Sequence, residues 1–175
     1  STSGLKDGLQ NILNKKDNLA ESIKNFIDNN FTPGEIDVNI MTKVDKDNFV
    51  KDVQLPTIYN DAHASLRGFA NSKLSSSVIF SAGMNPRLYS YLEEFEDFFP
   101  NENGELKKKI ILKVSDFRSA MIQGNFLAKK GLWVSEYRIE SGLNCGGHAF
   151  ATDGLLMGPI MEEFKQKKNE LQTSA

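Results

Sequence analysis

Cys145, the chain's single cysteine, stands three residues before His148, one of its two histidines, with Gly146 and Gly147 between them. The surrounding stretch, RIESGLNCGGHAFATDG (138–154), is open to three chemistries. Gly142, Gly146 and Gly147 lack Cβ atoms, so backbone N–H groups there can close on an anion such as phosphate, and a helix behind them would add its positive end. Cys145 ahead of a helix is placed to ionise early and act as a nucleophile, with His148 or the distant His63 as its base. Cys145, His148 and Asp153 are metal-ligand types, but one cluster without paired spacing is not a zinc signature, and no metal is expected. The plain alternative is a small buried thiol in a glycine-shaped turn. The anion cradle with Asn144 beside it is favoured over a turn, because the loop exceeds the ~2–6 residues of an ordinary strand-to-helix connection.

Alternating elements must position this loop. From residue 77 onward, SVIFSAG reads as a short buried strand. NPRLYSYLEEFEDFF reads as a helix with Asn85 at its cap and Pro86 at its first position. KKIILKVSD is the next strand, and FRSAMIQGNFLAKKG a helix closed by Gly131. LWVSEYRIE is a further strand, and LLMGPIMEEFKQKKNEL the last helix, with Gly158-Pro159 delaying or kinking its start. Upstream, EIDVNIMTKVD alternates as a strand, KDNFVKDVQLPTIYN is a polar loop and DAHASLRGFANSKL a helix. Residues 1–31 carry helical spacing interrupted near Asp17-Asn18, and Thr32-Pro33-Gly34 breaks the pattern. The expected fold is α/β: an N-terminal helical segment (1–31), then a βα-repeat domain (35–171). Its mainly parallel sheet is either half of a TIM-type barrel or an open sheet. No strand-to-strand hairpin signal is visible.

Ligands of such sheets bind beyond the C-terminal ends of the strands. That rule selects Thr42–Asp45, Ser81 to Gly83, Ser115-Asp116, and Glu140 with the loop that follows. Ser115 and Asp116 read first as helix N-caps. Lys43 and Lys113 are amines within or beside strands, suited to a phosphate or substrate oxygen, or to pairing with Asp45, Asp116 or Glu140. Glu136, Arg138 and Glu140 share one strand face, which suggests a polar barrel interior or an intersubunit pair. Trp133, Tyr137 and the phenylalanines read as core, and His63 as a helix-surface residue.

At 175 residues, with 39% hydrophobic and 25% charged residues, the chain is long enough for one domain with a real core. A net charge of −2 gives no electrostatic ground for nucleic acid, and the Lys107–Lys109 cluster reads as solvated. No apolar run approaches the ~20 residues of a membrane span. One cysteine rules out an internal disulfide, and a reducing cytoplasm is the default. The expected partner is a small-molecule substrate; the oligomeric state is open.

With these units laid out, the chain resembles part of an FMN-dependent (β/α)8-barrel enzyme of the glutamate-synthase-like or nitronate-oxidising groups. The resemblance covers roughly residues 35–165 and rests on IILKVSDFRSAMIQGNFLAKKG and SGLNCGGHAFATDG. It implies an oxidoreductase with FMN as cofactor. Its flavin phosphate would sit on glycine-rich loops, a role Gly142, Gly146 and Gly147 fit, with Lys43 or Lys113 near the isoalloxazine. Two other readings stand beside it: a hydrolase or transferase using Cys145 with a histidine, and a non-catalytic fragment or interaction domain.

Overall fold

The computed structural model describes residues 2–14, 18–31, 34, 36–81, 83–140 and 157–174. The chain divides into two units, Ser1–Gly34 and Glu35–Ala175. In the first, α1 (Thr2–Leu13) and α2 (Leu19–Asn30) pack on each other. Asn18, just ahead of α2, takes a left-handed conformation (φ 52°), so the break falls where the sequence places it. Gly8 admits the Phe26 ring of α2, since a Cβ there would sit 2.9 Å from it.

The second unit is α/β, as the alternation of elements predicts. In chain order it contains β1 (Val38–Met41), β2 (Phe49–Val50), β3 (Val53–Gln54), α3 (Asp61–Ala70) and β4 (Ser77–Ser81). It continues with α4 (Pro86–Tyr91), β5 (Lys109–Val114), α5 (Phe117–Ala128), β6 (Val134–Ile139) and α6 (Met157–Ser174). Strands β1, β4, β5 and β6 form an open, all-parallel sheet in that order. Each new strand adds on the same side as the last, so the sheet has no reversal of strand order.

Period-two alternation gives this sheet two different faces. Val38 and Ile40, Val78 and Phe80, and Ile110, Leu112 and Val114 join one apolar core with Leu66 of α3, Leu88 of α4, Leu127 of α5 and Phe164 of α6. Side chains such as Leu66, Leu88, Leu112 and Val78 are wholly buried, each contributing about 1.5–3 kcal/mol. The opposite face carries Asn39, Ser77, Ser81, Lys113, Arg138 and Glu140 around two buried isoleucines, Ile79 and Ile111. Tyr89 donates to Gln123 (2.6 Å) and Gln123 to Ser119 (2.8 Å), fastening α4 to α5 inside the core.

Helix starts follow their caps. Asn85 accepts from the Leu88 N–H (3.1 Å) and Asp116 from that of Ser119 (2.7 Å), while Gly131 ends α5's turn at φ 73°. Four expectations are corrected. The polar loop after β1 contains a hairpin, β2 paired antiparallel with β3, turned by Lys51 (φ 47°) and Asp52 (φ 64°). Two consecutive positive φ values are what a tight two-residue hairpin needs, and without glycine they left no sequence signal. The helix from Pro86 stops at Tyr91 and continues only as two 3-10 turns, because Glu93, Glu94, Glu96 and Asp97 are unfavourable at a helix C-terminus. Trp133 is not core: it is more than half exposed just before β6, an edge strand among the described residues.

The fourth correction is Lys108, which is buried rather than solvated. Its ammonium donates to the carbonyls of Leu74 (2.8 Å) and Ser72 (3.0 Å) and lies 4.7 Å from the Phe69 ring centre. Burial pulls its pKa below the usual lysine range, and Asp97 partly opposes this. Lys108→Met keeps the stem but leaves two carbonyls unpaired. It is expected to lower the unfolding free energy by about 2–3 kcal/mol in urea titration; a change below about 0.5 kcal/mol would show that the ammonium contributes nothing.

Candidate functional site

The best-organised polar cluster lies where β1 and β4 end. Thr42, the first residue after β1, points its hydroxyl at the carbonyls of Ser81 (3.0 Å) and Gly83, locking the two strand ends together. Three residues on, the Asp45 carboxylate accepts from the backbone N–H of Ala62 (3.2 Å) and from Asn85 Nδ2 (3.1 Å). It also lies 2.9–3.0 Å from His63 Nδ1. One carboxylate therefore joins the end of β1 to the first turn of α3 and the cap of α4. His63 packs against Tyr91, with ring centres 5.3 Å apart.

This overturns the reading of His63 as a surface residue: its side chain is 3% exposed and that of Asp45 5%. The signal was present in the helix itself, because Ala62, Leu66, Phe69 and Ala70 put His63 on the buried stripe of α3. Asn85 is legible as a cap, but its second job, donating to Asp45, is a long-range contact that spacing does not reveal. A carboxylate can only accept, so Nδ1 of His63 carries the proton and, in the neutral ring, Nε2 keeps the lone pair. That is the arrangement by which a carboxylate orients a histidine for proton transfer. It is equally a strong structural tie.

The other selected residues fall into two groups on the same C-terminal rim. Lys43 is exposed, and its Cε lies 3.7 Å from where a Gly83 Cβ would be. Gly83 has φ 102°, a conformation that disfavours any side chain, although a Cβ there would make only ordinary contact with Lys43. Ser81 is buried and donates to Asn39 (2.8 Å) on the polar face. On the neighbouring strands, Lys113 pairs with Glu140 (2.9 Å), and Ser115 lies 3.5 Å from the Asp116 carboxylate that caps α5. The N-cap reading of Asp116 therefore holds. Cys145, His148, Gly142, Asn144, Gly146, Gly147 and Asp153 lie outside the described residues. No group of three or more metal-ligating side chains occurs among the described residues, and none of their helices is long and apolar enough to cross a membrane.

A second feature lies at the opposite end of β6. A cavity of about 530 Å³ opens between α5, β6 and α6, lined by Gly124, Leu132, Val134, Tyr137, Lys168 and Leu171. The Tyr137 hydroxyl is buried there without a hydrogen-bond partner among the described residues, and burial raises its pKa to about 12. No family model matches the chain, and neither a curated protein nor a solved structure proved similar to it.

Burial pushes the Asp45 carboxyl up, but hydrogen bonds from His63 and Asn85 and the His63 charge outweigh it and hold the group below its ordinary 3.8. Folding thus favours the ionised form. The resulting stability is complete above that ordinary value and is lost as pH falls through the lower native one. Asp45→Asn is expected to cost about 2 kcal/mol at pH 7 and to flatten the acid limb of a melting-temperature profile below pH ~4. Parallel acid limbs for the two proteins would contradict this account.

Proposed function

We propose that the chain is an enzyme domain that binds a phosphorylated cofactor or substrate at the C-terminal rim of its parallel sheet, FMN being the leading candidate and oxidoreduction the reaction class. The observation that carries this reading is the meeting of exposed Lys43 with the open backbone at Gly83, one strand pair away from Lys113. Lys43 just past β1 and Lys113 near the end of β5, with β4 between them, provide charge for a phosphate, and a backbone without Cβ lets N–H groups approach it. The glycine-rich stretch 142–147 would extend that cradle. FMN, when bound, supplies the hydride chemistry; the chain supplies position and electrostatics. Lys113, held by Glu140, is suited to an electron-rich edge of the ligand. His63, held by Asp45, is suited to moving a proton through Nε2.

The test is titration of the purified chain with FMN, followed by flavin fluorescence and thermal shift, with riboflavin as the control lacking phosphate. FMN should bind at least about tenfold more tightly than riboflavin, and Lys43→Met should remove about that factor, ~1.4 kcal/mol. No response to FMN or to inorganic phosphate would overturn the reading.

The Asp45–His63 pair also favours a second reading, a hydrolase or transferase with Cys145 as nucleophile and an oriented histidine as base. It requires rapid alkylation of Cys145 by iodoacetamide at neutral pH, slowed about tenfold or more in His63→Gln. An ordinary thiol rate in both proteins would end it.

A further inference from the structure

We propose that two copies of this chain join edge to edge, β6 of each beside β1 of the other, and close one eight-stranded parallel barrel. The occupant of each open edge is then a second copy. The sheet winds in one direction only, with its helix-packed core on one face and charged side chains on the other. Among the described residues no strand lies on the outer edge of β1 or of β6, and exposed edges of this kind are seldom left uncovered. Arg138 of β6 reaches across β4 and β5 to Asp37, just before β1 (3.2 Å), so the charged face already curls upon itself.

Register supplies the specific argument. Tyr137, Leu112, Phe80 and Ile40 are level across the four strands. A closed eight-stranded βα barrel has a shear of about eight residues, so half of it takes up about four. With right-handed crossovers the shift runs toward the strand N-terminus. Four residues before Ile40 is Ile36, so Tyr137 falls beside the partner's Ile36 and Arg138 beside the partner's Asp37. Opposite charges on matching faces meet without any adjustment of register. Ile36 belongs by alternation to the apolar face with Val38 and Ile40, yet it is 62% exposed. Its counterpart at that level is the cavity lined by Tyr137, Val134 and Leu171. The closed mouth would be ringed by both rims, so each site gains a second set of strand-end residues.

Light scattering on the eluted protein should give two chains, twice 19.6 kDa. Asp37→Arg and Arg138→Asp each place like charges at both joins and should yield monomers. Mixing those two variants in equal amounts should restore the dimer, since every arginine again faces an aspartate. The double reversal, which keeps the pair within one chain as well, should dimerise with itself but not exchange subunits with the unaltered chain. It keeps the test decisive if a single reversal fails to fold. A monomeric unaltered chain at tens of micromolar, dimers that survive either single reversal, or free exchange with the double reversal would each overturn the proposal.

Discussion

One carboxylate fixes the geometry on which the rim depends. Asp45 sits past the end of β1 and takes hydrogen bonds from two different helices, through Ala62 and His63 of α3 and through the cap residue Asn85 of α4. A charge removed from water is tolerated only when it is this well matched. Satisfying it forces the β1 loop, the start of α3 and the start of α4 into one place. Thr42 then binds the turn after β4, and Gly83 and Lys43 come together as a consequence.

The sheet supplies the frame. Alternation along each strand sends aliphatic side chains to the helices and polar ones to the other face, and the sequential winding keeps that division constant from β1 to β6. The polar face is internally matched: Lys113 with Glu140, Arg138 with Glu136 and Asp37, Ser81 with Asn39. These pairs flank two buried isoleucines, Ile79 and Ile111, on the same face.

Much of this frame was legible in the sequence because it is local. The caps at Asn85 and Asp116, the break at Asn18, the strand at Ile110 to Val114 and the shared face of Glu136, Arg138 and Glu140 all follow from spacing within a few residues. What escaped depends on contacts between distant segments. Lys108 belongs to a basic cluster in sequence, but carbonyls some 35 residues earlier, at Ser72 and Leu74, draw it inside. His63 is held by a residue 18 positions upstream. Trp133 is large and aromatic, yet β6 is an edge strand, and nothing in the local sequence distinguishes an edge from a centre. The glycine-rich stretch around Cys145 lies outside the described residues, in the sequence between β6 and α6.

The central claim is that the ends of the parallel strands form the ligand site. Backbone amide shifts of isotope-labelled protein, recorded during addition of FMN, test it most directly. The account predicts that the largest changes cluster at Lys43, Gly83, Ser115 and Glu140, with the imidazole signals of His63 moving alongside them. Changes confined to the cavity around Trp133 and Tyr137, or spread evenly over the surface, would contradict it.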